Sequence, residues 1–496
     1  MSVAQPPANP PVAKARRSPL SRGPASWRDA VRLDPARGAL VGLLLVGIGA
    51  RVALSLSVQP ALTYPDSGNY FESAVGGLWS DPLRAAGYPM LLDVLRAITP
   101  HLLLVVAVQH LMGLAAAVLL FALLRRLGAP AGVALIPCAV VLLSGDELLI
   151  EHTALSETAL TLLLTMALYC AVRARRSGWV WAIAAGACAG LSVWMRAAAL
   201  PLVVIVPAWL LLCEWRLSPR TLATCAVSLI AGLATLATYT EWHYLGSGQG
   251  GLAAGDGWQA YGRVASFADC SKFTAPAGTQ RLCEATPPRL RPLYQTPVYY
   301  QYDQSSPAVQ LFGPPWMNPP QPGAQSALTR FAIAAVEGQP LDYLHAVWQD
   351  AVKLIDPSYP SHSNLTPSAL MTALFTRPQP TDSIGYWELR AYPGDPLEHG
   401  SAGAFRWWEK LTRITGAPFV LLFVLCLLAP WSVRGQPRSE TWLIVGTVLV
   451  LLLFPLFVHG YEYRYVIPLI GPFAAGAGLG GWGVSERLHE RRSIGG

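Results

Sequence analysis

Charged residues are scarce in this sequence. Asp, Glu, Lys and Arg make up 13 % of its 496 residues, about half the usual share in a soluble globular protein. The sequence also lacks the CxxC and HExxH spacings of common zinc sites. Its apolar runs are continuous rather than alternating, which argues against a transmembrane β-barrel. What is abundant is apolar residues, at 53 % with a mean hydropathy of +0.37. This composition predicts an all-α polytopic membrane protein with some additional soluble mass.

Ten apolar runs are candidates for membrane spans, because crossing the hydrocarbon core takes roughly 20 such residues. Basic residues cluster before the first run, after the second, fourth, sixth (Arg216 and Arg220) and eighth, and at the end of the sequence. All of these clusters fall on one side of a ten-span arrangement. By the positive-inside rule we expect both termini to be cytoplasmic. The net charge of +7 is then explained by topology and does not imply nucleic acid. The runs cover 38–58, 101–124, 130–145, 153–172, 179–195, 197–213, 221–241, 416–431, 440–459 and 465–483.

The polar stretches divide the chain into five parts. Residues 1–37 have no apolar run and predict a disordered cytoplasmic tail. Residues 38–241 form a transmembrane module with a long first loop, 59–100, and 242–415 form an extracytoplasmic segment of mixed or irregular structure. The remaining parts are the C-terminal spans, 416–483, and a cytoplasmic tail, 484–496.

Two features stand out in the segment 242–415. Apolar residues recur at helical spacing over 326–355, which predicts one or two amphipathic helices at the membrane surface. Cys270 and Cys283 are its only cysteines. On the oxidising side of a membrane such a pair favours a disulfide, and the alternative is two unrelated buried thiols.

Several carboxylates lie where a membrane makes them costly, at least roughly 2.5–3.5 kcal/mol near its centre. Asp66 follows the first span on a turn and is either a general base that activates a hydroxyl or a helix cap. Glu157 lies just inside the fourth span. Glu151 and His152 precede it and are either functional or ordinary interface residues.

Arginines also stand at the outer ends of spans, against the positive-inside rule. Arg196 and Arg464 could each hold a phosphate bidentately, although Arg196 could instead snorkel to the interface. Arg51, inside the first span, could pair with a carboxylate or serve function. Arg84 and Arg96 lie in the long first loop, where a solvated cation needs no explanation. Carboxylates and arginines around one amphipathic cavity suit chemistry on a lipid phosphate.

Five short motifs occur in order along the chain. They are Tyr64-Pro65-Asp66-Ser67, Gly87-Tyr88-Pro89, Leu155-Ser156-Glu157, the glycines Gly186 and Gly190 before Arg196, and Arg464-Tyr465-Val466-Ile467-Pro468-Leu469. With these motifs the sequence resembles the C-type membrane glycosyltransferases, among them the protein mannosyltransferases and the aminoarabinose lipid A transferases. The stretch 261–270 also resembles membrane proteins of actinobacteria.

The resemblance implies a C-type glycosyltransferase fold in the plasma membrane and inverting transfer of a hexosyl or pentosyl group. The donor would be a polyprenyl-phosphate sugar, and the acceptor a lipid, glycan or protein at the outer face. Asp66 would be the catalytic base, and Arg196 and Arg464 would bind the donor phosphate. No cofactor is required, although acidic residues leave room for a divalent cation. Glu157 would bind the acceptor, the sugar or an arginine. Residues that would bind the acceptor or sugar, or supply a second acid, are Glu157, Glu151, His152, Tyr88 and Tyr465.

Other functions stay open. Ser67 follows Asp66 where protein mannosyltransferases have a second acid, so protein mannosylation in particular is not supported. A lipid-linked glycan polymerase or ligase also uses outer-face arginines. A transporter or flippase is disfavoured because the spans divide seven and three with no visible repeat. A non-catalytic scaffold is the remaining alternative.

Overall fold

The computed structural model describes residues 35–213, 218–253, 255–317, 321–363, 365–435 and 437–495. Most of the predicted N-terminal tail, 1–34, and the basic residue Arg216 lie outside the described residues. The apolar runs of the sequence fold as helices, because a helix satisfies every backbone hydrogen bond within its own segment.

Helices dominate the described residues. Two strands of two residues each, β1 (Val58–Gln59) and β2 (His399–Gly400), pair antiparallel. Short 3-10 turns cover Ala197–Ala199, Gln280–Leu282, Pro288–Leu290, Tyr463–Tyr465 and Ile467–Leu469. The α-helices are α1 (Pro35–Ser57), α2 (Pro65–Gly76), α3 (Gly87–Ile98), α4 (Leu102–Arg126), α5 (Ala131–Leu143), α6 (Gly145–Glu151), α7 (Glu157–Ser177), α8 (Trp179–Met195), α9 (Leu202–Leu212), α10 (Pro219–Ser247), α11 (Asp256–Ala265), α12 (Pro297–Tyr302), α13 (Pro307–Phe312), α14 (Ala324–Gly338), α15 (Pro340–Ile355), α16 (Pro367–Leu374), α17 (Ser383–Ala391), α18 (Gly403–Thr412), α19 (Ala417–Ser432), α20 (Pro437–Val458) and α21 (Ile470–Gly495).

The prediction of an all-α polytopic membrane protein is confirmed. Six helical stretches of the described residues are long and apolar enough to cross a membrane: α1, α4, α7, α10, α20 and Tyr463–Ser493, which contains most of α21. The number rises to eight if two bent pairs each count as one span, α5 with α6 at 52° and α18 with α19 at 49°. Within the described ranges, length and composition thus give six to eight candidate spans, and two further apolar helices, Trp179–Met195 and Ala197–Leu212, are shorter.

Small residues allow the closest helix packing. A Cβ atom on Gly186 would lie 2.0 Å from the carbonyl oxygen of Ser228, and one on Gly190 would lie 2.6 Å from the Cβ of Thr235. Glycines four residues apart on α8 therefore let its backbone approach α10 directly, as in other membrane helix pairs. This packing fixes the end of α8, where Arg196 follows.

The segment 242–415 has an apolar core of its own, in which Tyr261, Tyr300 and Phe331 are fully buried. The stretch with helical spacing forms two helices, α14 and α15. Cys270 and Cys283 are joined in a disulfide, as the sequence predicted.

Candidate functional site

Asp66 lies in the first turn of α2, after Pro65, whose fixed backbone angle suits the start of a helix. Its two carboxylate oxygens bind two arginines. Oδ1 lies 2.5 Å from Arg84, and Oδ2 lies 2.6 Å from Arg464. The helix start is instead held by Ser67, whose hydroxyl accepts a hydrogen bond from the backbone N–H of Tyr64. The side chain of Asp66 therefore binds arginines and does not cap the helix.

Arg464 lies at the centre of the charged residues. It is 7 % exposed and belongs to the 3-10 turn that precedes α21. Besides Asp66, its guanidinium binds Glu462 and lies 3.4 Å from Glu157. It also stacks over the ring of Tyr64 at 4.5 Å. A buried arginine held by several carboxylates presents its donors in a fixed geometry.

Arg196 completes the cluster and contacts the same oxygen of Glu157 as Arg464 does. It follows the last residue of α8, where the helix breaks, and its Nη1 lies 2.5 Å from Glu157. Its guanidinium lies 4.4 Å from the ring centre of Tyr465. The contacts thus run from Asp66 through Arg464 and Glu157 to Arg196.

The Gly-Tyr-Pro motif of the first loop helps to bring these elements together. A Cβ atom on Gly87 would lie 2.4 Å from the carbonyl oxygen of Trp194. Only glycine therefore lets the start of α3 rest against the end of α8, two residues before Arg196.

A cavity of about 1370 Å³ opens beside this cluster. Asp66, Arg196, Arg464 and Tyr465 line it. Glu157 is fully buried behind the two arginines that it binds. Of the roles predicted for Glu157, the structure thus favours arginine binding over direct contact with acceptor or sugar.

Three other predicted site residues lie in a different cluster, which the cavity does not include. Glu151 forms a buried two-bond ion pair with Arg51, at 2.5 and 2.7 Å. His152 lies 3.3 Å from His110, which in turn contacts Glu151 at 3.0 Å. These contacts resolve the alternatives for Arg51 in favour of a carboxylate partner.

Tyr88 belongs to the same cluster through Gln109. Its hydroxyl donates to the Gln109 side chain at 2.5 Å, and that side chain donates to the backbone oxygens of Glu151 and Thr153. These contacts hold the backbone that leads into α7. Tyr88, Glu151 and His152 are thus each buried in polar contacts with other protein groups, and their substrate contacts stay a prediction.

Sequence reasoning missed several charged or titratable residues on the cavity wall, among them Arg84, His459 and Glu462. The sequence predicts a solvated Arg84, but this side chain binds Asp66 and also Asp81, at 3.0 Å. Glu462 and His459 contact each other at 3.5 Å. A signal existed for Glu462, since it is two residues before Arg464 in a tyrosine-rich stretch at a membrane boundary.

Electrostatics keep the site ionised. Burial favours the neutral form of Asp66, but Arg464 and then Arg84 outweigh it and hold the pKa of this carboxyl well below its usual range. Burial likewise opposes ionisation of Glu462, and Arg464 again lowers its pKa. The carboxylates are therefore charged at neutral pH and hold the arginines in place.

A divalent cation in this site would need several ligand side chains close together. Within the described ranges, the structure has no group of three or more His, Cys, Asp and Glu side chains arranged to hold a metal ion. The divalent cation for which the sequence left room stays a prediction.

No family model matches the chain, and no curated protein matches it. It is similar to solved structures, with 13 % identity and a TM-score of 0.44 to the oligosaccharyltransferase AglB from Archaeoglobus fulgidus in complex with an inhibitory peptide and a dolichol-phosphate. It covers 51 % of that chain, so it spans about half the length of the oligosaccharyltransferase, whereas 93 % of the present chain is covered. With ArnT from Cupriavidus metallidurans bound to undecaprenyl phosphate the identity is 13 %, the TM-score is 0.37, and the shares covered are 88 % of this chain and 78 % of ArnT. Likenesses this weak carry no conclusion about this chain's activity.

Proposed function

We propose that this chain is an integral membrane glycosyltransferase of the C-type. It moves a sugar from a polyprenyl-phosphate donor to a hydroxyl acceptor by a single, inverting displacement. One observation carries the proposal: a single cavity offers the carboxylate Asp66, the arginines Arg196 and Arg464, and an extended apolar wall.

The apolar wall suits a lipid chain. Phe454, Phe457 and Val458, at the end of α20, line the cavity together with Leu200 and Ile333. Four of these five residues, all except Phe454, are also exposed at the protein surface. A cavity that joins such a wall to buried arginines matches a molecule with a long hydrocarbon chain and a phosphate, because each part finds the surroundings that it prefers.

The chemistry follows from the same groups. The acceptor oxygen attacks the anomeric carbon of the sugar, and its proton passes to Asp66. The bond between the anomeric carbon and the phosphate oxygen breaks, and the electron pair leaves with polyprenyl phosphate. Arg196 and Arg464 stabilise the charge that develops on this leaving group, which lowers the barrier most if the guanidinium groups are already in position.

Donor binding would also activate the base. While two arginines bind Asp66, its low pKa makes it a weak proton acceptor. A phosphate that binds Arg464 competes with Asp66 for the same guanidinium. The pKa of Asp66 then rises toward a value useful for proton transfer, so that the base becomes effective only when the donor is present.

We place both termini in the cytoplasm and the cavity at the outer face. Supporting this orientation, α4 ends in Arg125 and Arg126 and α7 in Arg175 and Arg176. The disulfide between Cys270 and Cys283 also suits an oxidising compartment.

A transfer assay in nanodiscs tests the function. Purified protein is given polyprenyl-phosphate sugars of several kinds together with envelope lipids and glycans as acceptors. We expect release of polyprenyl phosphate, and a product whose anomeric configuration, read by NMR, is inverted relative to the donor. A product of retained configuration would overturn the single displacement.

Arginine variants test the phosphate site. Because Arg196→Ala removes the nearer partner of the buried Glu157 carboxylate and leaves only Arg464, at 3.4 Å, the double variant Arg196→Ala/Glu157→Gln is the better folded comparison. Both should raise the donor KM. A Glu157→Gln single variant, which keeps Arg196, serves as the control. An unchanged donor KM in the folded double variant would remove Arg196 from the phosphate site.

Movement of the intact lipid across the bilayer with no sugar transfer would favour the flippase alternative.

A further inference from the structure

Two aromatic rings form part of the cavity wall. Tyr302, the last residue of α12, and Trp316 both line the cavity. Their rings are 6.3 Å apart between centres and nearly parallel, at 20°. Trp316 is 48 % exposed. The two rings therefore stack on each other, and the pair is here called the aromatic platform, of which the half-exposed Trp316 ring offers a flat apolar face.

The aromatic platform shares its cavity with the proposed base. Asp66 and Arg84 line the cavity together with Tyr302 and Trp316. Burial raises the pKa of Tyr302 to about 12, so its hydroxyl is neutral and can donate a hydrogen bond. A ligand on the platform and a phosphate at Arg464 would therefore occupy the same cavity as Asp66.

A buried hydrogen-bond acceptor stands next to the platform. Gln301, which precedes Tyr302 on α12, lines the cavity but is only 1 % exposed. Its amide nitrogen donates to the side chain of Gln259, while its Oε1 has no hydrogen-bond partner among the described residues. An unpaired buried acceptor is costly, about 1–3 kcal/mol. Because this oxygen is itself buried, a ligand hydroxyl would satisfy it once the Gln301 side chain turns toward the cavity.

These features together specify a ligand chemistry. A pyranose or furanose ring presents C–H groups on its face, which pack against aromatic rings, and hydroxyls on its rim, which bind amides and carboxylates. A serine or threonine side chain on a peptide needs no flat surface of this size. A site built from aromatic rings and a few well-placed polar groups has the usual composition of a specific small-molecule pocket.

We infer that the acceptor is a glycan, whose terminal sugar packs on Tyr302 and Trp316, gives a hydroxyl to Gln301, and points another hydroxyl at Asp66. This rests on the proposed function for the role of Asp66. The binding of a sugar at the platform can be tested without any transfer reaction.

The first experiment measures binding. Short mannan, galactan and arabinan oligosaccharides, and a serine- and threonine-rich peptide, are each added to the full chain in nanodiscs, and contact is detected by saturation-transfer NMR. The variants are Trp316→Ala and Trp316→Phe. The matched control is Trp348→Ala, since Trp348 is an exposed tryptophan of α15 outside the cavity. We expect at least one oligosaccharide to bind the wild type and the control, to lose contact in Trp316→Ala, and to regain it in Trp316→Phe.

The second experiment measures transfer to the oligosaccharide that binds. Trp316→Ala should raise the acceptor KM about three- to tenfold, while the donor KM and kcat change less than twofold. Binding of the peptide but of no oligosaccharide would overturn the proposal, and so would undiminished oligosaccharide binding by Trp316→Ala. A sugar that binds at the platform but is never glycosylated would refute the proposed function and leave the platform standing.

Discussion

Replacing Asp66 with Asn changes the chemistry of one carboxyl group and nearly preserves its shape. Asp66 is 7 % exposed, and its oxygens lie 2.5 Å from Arg84 and 2.6 Å from Arg464. Asparagine keeps one acceptor oxygen but presents an NH₂ donor in place of the other. The variant therefore removes the proposed base and loosens one arginine contact.

The expected loss is large. A positioned general base contributes roughly 10²- to 10⁴-fold to a rate, and each factor of ten is about 1.4 kcal/mol of barrier. We expect kcat to fall by this factor, an increase in barrier of roughly 3–5 kcal/mol. The fold should survive, because Arg464 keeps Glu462 and Glu157 as partners and Arg84 keeps Asp81.

Donor binding should respond differently. The variant adds one unit of positive charge to the cavity, so the KM for the phosphate donor should stay the same or fall. The assay is the transfer rate in nanodiscs at several donor concentrations, with the thermal midpoint as a check on folding. Asp81→Asn is the matched control, since it removes a carboxylate that binds Arg84 at 3.0 Å. We expect Asp81→Asn to lower kcat by less than about tenfold.

The pH profile gives a second reading of the same group. Arg464 and Arg84 hold the pKa of Asp66 well below its usual range, so the carboxylate stays ionised as the pH falls. As the pH falls from about 8 to 5, kcat/KM should therefore not decrease through protonation of Asp66 in the free enzyme.

A folded Asp66→Asn variant with the wild-type kcat would refute the assignment of the base.

Three further predictions concern stability. Burial, with Glu398 and Asp395 nearby, raises the pKa of Glu388 to about 8 from 4.5. Protonated Glu388 contributes its full stability below about pH 4.5, and this contribution is lost as the pH rises through 8. Glu388→Gln should therefore reduce the fall of the thermal midpoint between these two pH values. Glu151→Gln leaves Arg51 without its buried carboxylate and should cost roughly 3–5 kcal/mol, while adding Arg51→Met should recover part of it in a double-mutant cycle. Replacing both disulfide cysteines with serine opens a loop closed over a separation of 13 residues and should cost about 3 kcal/mol, with no further effect of a reductant.

The sequence predicted much of the site because charge is scarce and costly in a membrane. Asp66, Glu157, Arg196 and Arg464 were selected as charges at span ends, and the structure brings all four into contact through shared ion pairs. The helices were predicted for a similar reason, since long apolar runs have few alternatives in a bilayer. The count of spans depends on how bent helix pairs are treated, such as α5 and α6, which meet at 52°.

What sequence could not predict is how the first loop folds back. Arg84 was expected in solvent, yet it binds Asp66, 18 residues away, because the loop returns along the cavity. Glu151 and His152 lie close in sequence to Glu157 but belong to a separate buried cluster with Arg51. Such partners are set by tertiary contacts between distant segments, which no local pattern encodes.

The central claim is that one cavity holds a lipid phosphate at the arginines while Asp66 faces the sugar. An electron cryomicroscopy structure of the protein in nanodiscs with an added polyprenyl phosphate tests it most directly. We expect phosphate oxygens at roughly 2.7–2.9 Å from Arg196 or Arg464, with the hydrocarbon chain along Phe457 and Val458. A phosphate bound away from both arginines, or a lipid chain that shields Asp66 from the cavity, would contradict the claim.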